Sequence, residues 1–386
     1  MFRRPLIVAF GFLLLIVGGY SIYWWVAADQ AERAVERWID DWRKAGYTVD
    51  SGDQHLGGFP SLVTLDIDTP RLTDPEGVWH WSGERIRFEV RPWAPTDYRL
   101  ELFGANQVTA PIDGRPTDFT LRAARAVGGA EVSLAGLLRR ISLTFDDLVI
   151  DSRTLDLNAG AARLVATLDL PATPPQSADD LSAELMLTGD DMRLPERHAG
   201  PLGQEVKWLS TRLIMRGPMP QAGLRQSLQV WRDAGGRLET PWLRIGWGPL
   251  GLDAEGGLSL DQDLRPQGLY QARISGFEGA IQRFSDAGMI DPTAARLLAG
   301  GARLFAQSGS DGRDFIQMPL KAENGGLFLG PIRIARLAPV VPEPGRPAAA
   351  VPPPIAPAPP PGAVESEDLP AILEPPTVSP DFPSGD

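Results

Sequence analysis

Three histidines, four pairs of neighbouring acids and one glycine run are the residues of this chain whose types could do chemistry. His55, His80 and His198 stand far apart, with none of the short spacings that gather metal ligands. His80 lies between Trp79 and Trp81 and, on a strand, faces away from both. Two carboxylates sharing a proton would serve as a general acid and base, and Asp40-Asp41, Asp146-Asp147, Asp179-Asp180 and Asp190-Asp191 are the candidates. Adjacent strand residues point to opposite faces, so these pairs are expected to be solvated acids in turns. Gly246-Trp247-Gly248-Pro249-Leu250-Gly251 formally matches the phosphate-cradling pattern of dinucleotide folds. That chemistry needs a strand before the glycines and a helix after them, whose N-terminus holds the pyrophosphate. The strand is supplied by Trp242–Trp247. After Gly251, however, come Gly256-Gly257, Leu258 and Leu260, the composition of turn and strand. The glycines are therefore expected to be turns between strands. No P-loop, nucleophile elbow or zinc-protease helix motif occurs. The absence of cysteine removes disulfides, thiolate catalysis and cysteine metal sites. The expectation is a non-enzyme with no catalytic, cofactor-binding or metal residue.

The elements that position these residues begin with Arg3-Arg4 and an uncharged run, Pro5 to Val26. At about 1.5 Å per residue the run reaches roughly 33 Å, the thickness of a hydrocarbon core. Tyr20, Tyr23, Trp24 and Trp25 crowd its far end as an aromatic belt would, and Asp29 and Glu32 follow. Residues 1–26 are thus expected to be a cytoplasmic stub and an uncleaved bilayer anchor. The N-terminus would lie in the cytoplasm and the bulk in the periplasm, outside the inner membrane. The alternative is a signal peptide cleaved near Val26-Ala27-Ala28. Residues 27–46 form an amphipathic helix, with Ala31, Val35, Trp38, Ile39 and Trp42 on one face and Gly46 as its stop.

From 47 to 338 the period changes to two. Val63, Leu65 and Ile67 alternate with polar residues, as do Ile86, Phe88 and Val90, then Tyr98, Leu100 and Leu102. Trp79 and Trp81 share a face on odd numbers, so the phase slips at Gly83. Ile141–Phe145, Ala162–Leu170, Leu181–Gly189 and Thr211–Gly217 continue as strands, with a division into two halves near 172 as an alternative. Helices are expected at 224–236, 278–290 and 291–306, the last started by Asp291 and Pro292 and interrupted by Gly300-Gly301. Residues 318–334 read as a hairpin turned by Asn324-Gly325. Residues 339–386 hold 16 of the 37 prolines, with seven acids against Arg346 alone, and read as a disordered tail. The fold class is mainly β (α+β): one transmembrane helix, an amphipathic helix, mostly antiparallel sheets with a few helices, and the tail. Net charge is −12 with no basic patch, which argues against nucleic acid as a partner.

Gly46-Tyr47, Gly58-Phe59-Pro60, Pro70-Arg71-Leu72, Trp79-His80-Trp81-Ser82-Gly83 and Arg91-Pro92-Trp93 form an ordered set of blocks. They are followed by Trp247-Gly248-Pro249-Leu250, Gly276-Phe277 and Asn324-Gly325-Gly326-Leu327. This order resembles the Gram-negative bacterial family known only as domain of unknown function 2125, over residues 5–338. The resemblance implies a membrane-anchored envelope protein and supplies no activity. A fainter likeness of architecture is to AsmA-like envelope proteins, whose curved sheets offer an apolar groove to lipid. Three functions follow as expectations: handling lipid along an apolar β surface, scaffolding other envelope proteins through the β region and the tail, or catalysis at an unrecognised site.

Overall fold

The computed structural model describes residues 3–341 apart from 113–114, 221–223, 310–311, 313 and 331. The side chains of 3–15, 31, 34, 38, 197, 198, 332 and 334 also lie outside the description. The first element, α1 (Arg3–Lys44), is one continuous helix, so the expected boundary between anchor and amphipathic helix at residue 26 is not a break in structure. Among the described residues no helix is long and apolar enough to cross a membrane; residues 5–15 of the expected span have no described side chains. The helix ends as expected at Gly46, whose φ is +94°, with Tyr47 N–H donating to Trp42 O at 3.0 Å.

The rest is an antiparallel meander of long strands. Five of them are broken into two halves: β1 (Thr48–Asp50) with β2 (Gln54–Gly57), β3 (Val63–Asp68) with β4 (Arg71–Thr73), β5 (His80–Ser82) with β6 (Arg85–Arg91), β7 (Ala94–Phe103) with β8 (Asn106–Ile112), and β9 (Arg115–Arg122) with β10 (Arg125–Val132). β11 (Leu138–Ser152), β12 (Leu157–Asp169) and β13 (Leu181–Arg193) run unbroken. After α2 (Glu196–Ala199) come β14 (Glu205–Arg216), α3 (Leu224–Asp233), β15 (Arg237–Trp247), β16 (Leu250–Leu260) and β17 (Pro266–Ser275). Then follow α4 (Phe277–Asp286), α5 (Pro292–Leu304), β18 (Gln307–Ser308), β19 (Asp314–Glu323), β20 (Gly326–Leu329) and β21 (Ile332–Arg336). β12 and β13, the strands on either side of residue 172, pair directly with each other.

The breaks fall in line. Because the strands are antiparallel, each first half pairs with its neighbour's second half: β3 with β6 but β4 with β5, β6 with β7 but β5 with β8, β7 with β10 but β8 with β9. β11 reunites the two limbs, pairing with β10 along its first half and β9 along its second. Thr69, Gly104, Asp147 and Asp191 take positive φ along this crease. Each such residue shifts the alternation, so the apolar set passes from Ile67 to Leu72, from Ile86 back to Trp81 and from Phe145 to Leu148. The slip read at Gly83 is one instance of this crease. Across it Trp81 packs on the buried cluster of Leu65, Ile67 and Ile86, with Val35 of α1 alongside.

The expected helices all form: α3, with buried Trp231 donating to Arg216 O at 2.7 Å, then α4 and α5. Asp291 caps α5, accepting from the N–H groups of Thr293 and Ala294. The helix runs through Gly300 and Gly301, which do not break it. Asn324 and Gly325, both with positive φ, turn β19 into β20 as expected. The expected tail lies outside the described residues from 342 on. Its first residues are tied to the body, with Val340 N–H donating to Leu264 O at 2.9 Å and Arg225 donating to Val341 O.

Candidate functional site

The glycine run forms a hairpin. Gly246 pairs with Gly251 and Trp247 with Leu250, while Gly248, at φ +54°, makes the turn. Gly246 is glycine because the Trp208 ring lies against it; a Cβ there would stand 2.5 Å from the indole. A cavity of about 990 Å³ opens beside this hairpin, on the polar face of the sheet, lined by Lys207, Trp208, Arg244, Asp253 and Ser275. The first turn of α4 reaches it through Glu278, a helix the sequence did not place there. Asp253, Glu278 and Asp314 oppose an anion, and Arg244 is already paired with Asp253 at 3.2 Å.

The structure does not bring the histidines into one site. His55 lies on β2, 3.6 Å from Asp68, and His80 on β5 in the other limb; the His198 side chain lies outside the described residues. The acid pairs separate into three cases. Asp179-Asp180 is a turn, with Asp180 accepting from the Gln176 and Ser177 N–H groups, which hold its carboxyl below the usual range. Asp40 and Asp41 are instead on α1, paired with Arg43 and Lys44. Asp146-Asp147 and Asp190-Asp191 are not in turns either. They sit inside β11 and β13 at the crease, where Asp147 and Asp191 take positive φ and break the alternation. Arg163 on the strand between them is 3.3 Å from Asp146.

What the fold assembles, and what no single strand could show, is a continuous apolar surface. Ile67 pairs with Ile86, Ile86 with Leu102, Leu102 with Ala126 and Ala126 with Phe145. The row goes on through Leu164, Gly189, Leu209, Ile245, Leu252 and Ile274 to Ile316 without a polar residue. A parallel row runs from Leu65 through Phe88, Leu100, Gly128, Leu143 and Ala166 to Leu187. The opposite face carries cross-strand ion pairs: Arg87 with Asp66 at 2.6 Å and Arg212 with Glu184 at 2.7 Å. The Arg87 guanidinium, donating to Asp66, holds that carboxyl below its ordinary value despite partial burial.

Burial along the rows is uneven. Val63, Leu65, Ile67 and Ile86 are buried, because α1 and Trp81 cover them. Near β14 and β16, α3 packs Trp231 against Leu260 and Leu264. The stretch between is half open. Phe145, Leu164, Leu185, Leu187 and Leu209 are only partly buried, and Leu143 is 42 % exposed. In a closed sandwich these central residues would be the best buried of all. The helices make their main contacts elsewhere, α1 on β1 and β3 and α4 on β16.

A family match covers residues 24–338, from the indole of α1 that donates to Leu62 O to just past β21. The chain belongs to the bacterial family DUF2125. The family is described as an uncharacterized protein conserved in bacteria, so membership carries no activity to this DUF2125 chain. No curated protein and no solved structure matches it, and the likeness to AsmA-like proteins finds no support there.

Proposed function

We propose that this DUF2125 chain is a non-catalytic envelope protein, held at the inner membrane by residues 5–26, that carries acyl chains of lipid along the open apolar face of its sheet. The observation behind the reading is the pair of in-register apolar rows left half exposed between their covered ends. One acyl chain of about fourteen carbons, at roughly 0.8 kcal/mol per CH₂, would gain on the order of 10 kcal/mol before entropy costs. The uncharged run behind Arg3-Arg4 supports the anchor, with the N-terminus in the cytoplasm and residues 27–386 in the periplasm.

Leu143 and Met186 allow a matched test. They are 42 % and 41 % exposed, on the apolar and polar faces. A photo-crosslinking amino acid at 143, irradiated in cells, is expected to yield a lipid adduct by mass; the same group at 186 is not. Equal labelling at both, or none at 143, rejects the reading. Separately, a reporter active only outside the cytoplasm, fused after 340, is expected to be active, and the chain to resist carbonate washing.

A scaffold reading draws on one further observation: α5 turns Leu297, Leu304 and Phe305 outward, uncovered. Protein adducts from a crosslinker at 297 with no lipid adduct at 143 would favour it.

A further inference from the structure

Three neighbouring connections at one end of the meander carry large apolar side chains at their tips. The loop before β3 holds Phe59, 54 % exposed; the turn from β6 to β7 holds Trp93, 62 % exposed; the turn from β10 to β11 holds Leu134, 98 % exposed, with exposed Leu137 and Leu138. They lie side by side because Val63 pairs with Val90 and Tyr98 with Ala130. Turn tips ordinarily carry Gly, Asn, Asp or Ser, and a row of exposed apolar tips marks a contact surface.

The belt aromatics of α1 say what it contacts. Tyr20 Oη donates to Pro60 O at 2.5 Å, Tyr23 Oη to Pro92 O at 2.7 Å, and Trp24 Nε1 to Leu62 O at 2.8 Å. Trp24 also meets Phe59 edge to face, with ring centroids 5.3 Å apart. Two of the three tips are therefore fixed to the part of α1 where the uncharged run ends, and exposed Tyr23 and Trp25 continue the patch. Arg91 stands two residues before Trp93 and Arg139 directly after Leu138, the mixture of aromatic, aliphatic and basic groups that suits a headgroup layer.

We propose that this rim of tips, Phe59, Trp93, Leu134 and Leu137, sits in the interfacial layer of the same bilayer that α1 enters. The β region is then docked on the membrane rather than swinging from a tether, and the apolar rows cross the strands a few residues in from the docked rim. The inference rests on residues 5–26 lying in the membrane. The occupant is lipid because whatever covers Phe59 and Trp93 must also meet α1 at residues 20–25, the level at which that helix leaves the hydrocarbon.

The chain has no cysteine, so single probes can be placed in the full-length protein. Leu134→Cys, Trp93→Cys, Ile16→Cys and Leu297→Cys, each carrying an environment-sensitive fluorophore, are reconstituted into phosphatidylcholine–phosphatidylglycerol vesicles with nitroxide lipids. Leu137→Cys replaces Trp93→Cys if that variant melts early. Probes at 134 and 93 are expected to shift to the blue and be quenched by shallow nitroxides. The probe at 16 is expected to respond to deep nitroxides. The probe at 297, on α5 at the opposite strand ends, is expected to stay water-like. Water-like probes at 134 and 93 with quenching at 16 overturn the docked rim and leave the membrane segment standing. Water-like probes at all of these positions overturn both. A blue shift at 134 that no nitroxide lipid quenches means a protein covers the tip, and also overturns the proposal.

Discussion

Leu143→Glu separates an open lipid surface from an ordinary core. Leu143 stands in its row between Gly128 and Ala166, two residues that leave space beside it. Burying a whole leucine is worth about 1.5–3 kcal/mol, so a side chain still 42 % exposed contributes about 1–2 kcal/mol, and that is the expected loss of stability. A glutamate at this site reaches water and keeps its charge solvated. The effect on lipid is larger. Each strand presents about 4.8 Å of row, the length of roughly four methylenes. At about 0.8 kcal/mol each, blocking one strand removes about 3 kcal/mol, more than a hundredfold in affinity. Met186→Glu, equally exposed on the other face, is the control and is expected to leave binding within about twofold. The assay is titration with a fluorescent fatty acid, together with lipid extraction from the purified full chain and thermal melts of both variants. Retention of lipid by Leu143→Glu at the level of Met186→Glu refutes the reasoning. So does outright unfolding of Leu143→Glu, which would mean a closed core where several kcal/mol are lost on burying a charge.

Asp66→Asn is expected to cost about 1–2 kcal/mol at pH 7 through the lost Arg87 pair, measured by urea unfolding. Because the folded pKa of Asp66 is lowered, its contribution is complete above the unfolded value near 4 and fades as pH falls through the folded one; the gap between variant and parent should close below about pH 4. Trp231→Ala should remove about 3–5 kcal/mol, read as a lower melting temperature, since its buried ring joins α3 to Leu260 and Leu264. Gly300→Ala, where a Cβ meets nothing within 4 Å, should raise the stability of α5 by about 0.5–1 kcal/mol in native-state hydrogen exchange. Gly246→Ala should lower the melting temperature by crowding Trp208 and leave no NAD-dependent signal to lose in calorimetry. Saturable NAD binding by the parent chain would contradict that.

The sequence by itself determined what is encoded locally. The alternation at Val63, Leu65 and Ile67 is a strand because period two is a property of one segment, and Asp291-Pro292 starts α5 because a cap acts within a turn. Asn324-Gly325 makes its hairpin because both residues tolerate positive φ. The blocks from Gly46 to Asn324 were enough to recognise the family. Only the tertiary structure decided the rest. Whether apolar faces become a closed core or an open surface depends on register, which joins Ile67 to Ile316 through pairings no segment contains. The phase slip at Gly83 showed in the sequence, but its meaning required the neighbouring slips at Thr69, Asp147 and Asp191 to line up as one crease. Asp146-Asp147 reads as a turn because acids favour turns, yet it lies mid-strand because the crease needs a residue that tolerates positive φ there. Tyr20, Tyr23 and Trp24 carry the amphipathic signature of a membrane belt. Their hydrogen bonds to Pro60, Pro92 and Leu62 became possible only when folding brought residues about 40 to 70 positions away against the helix.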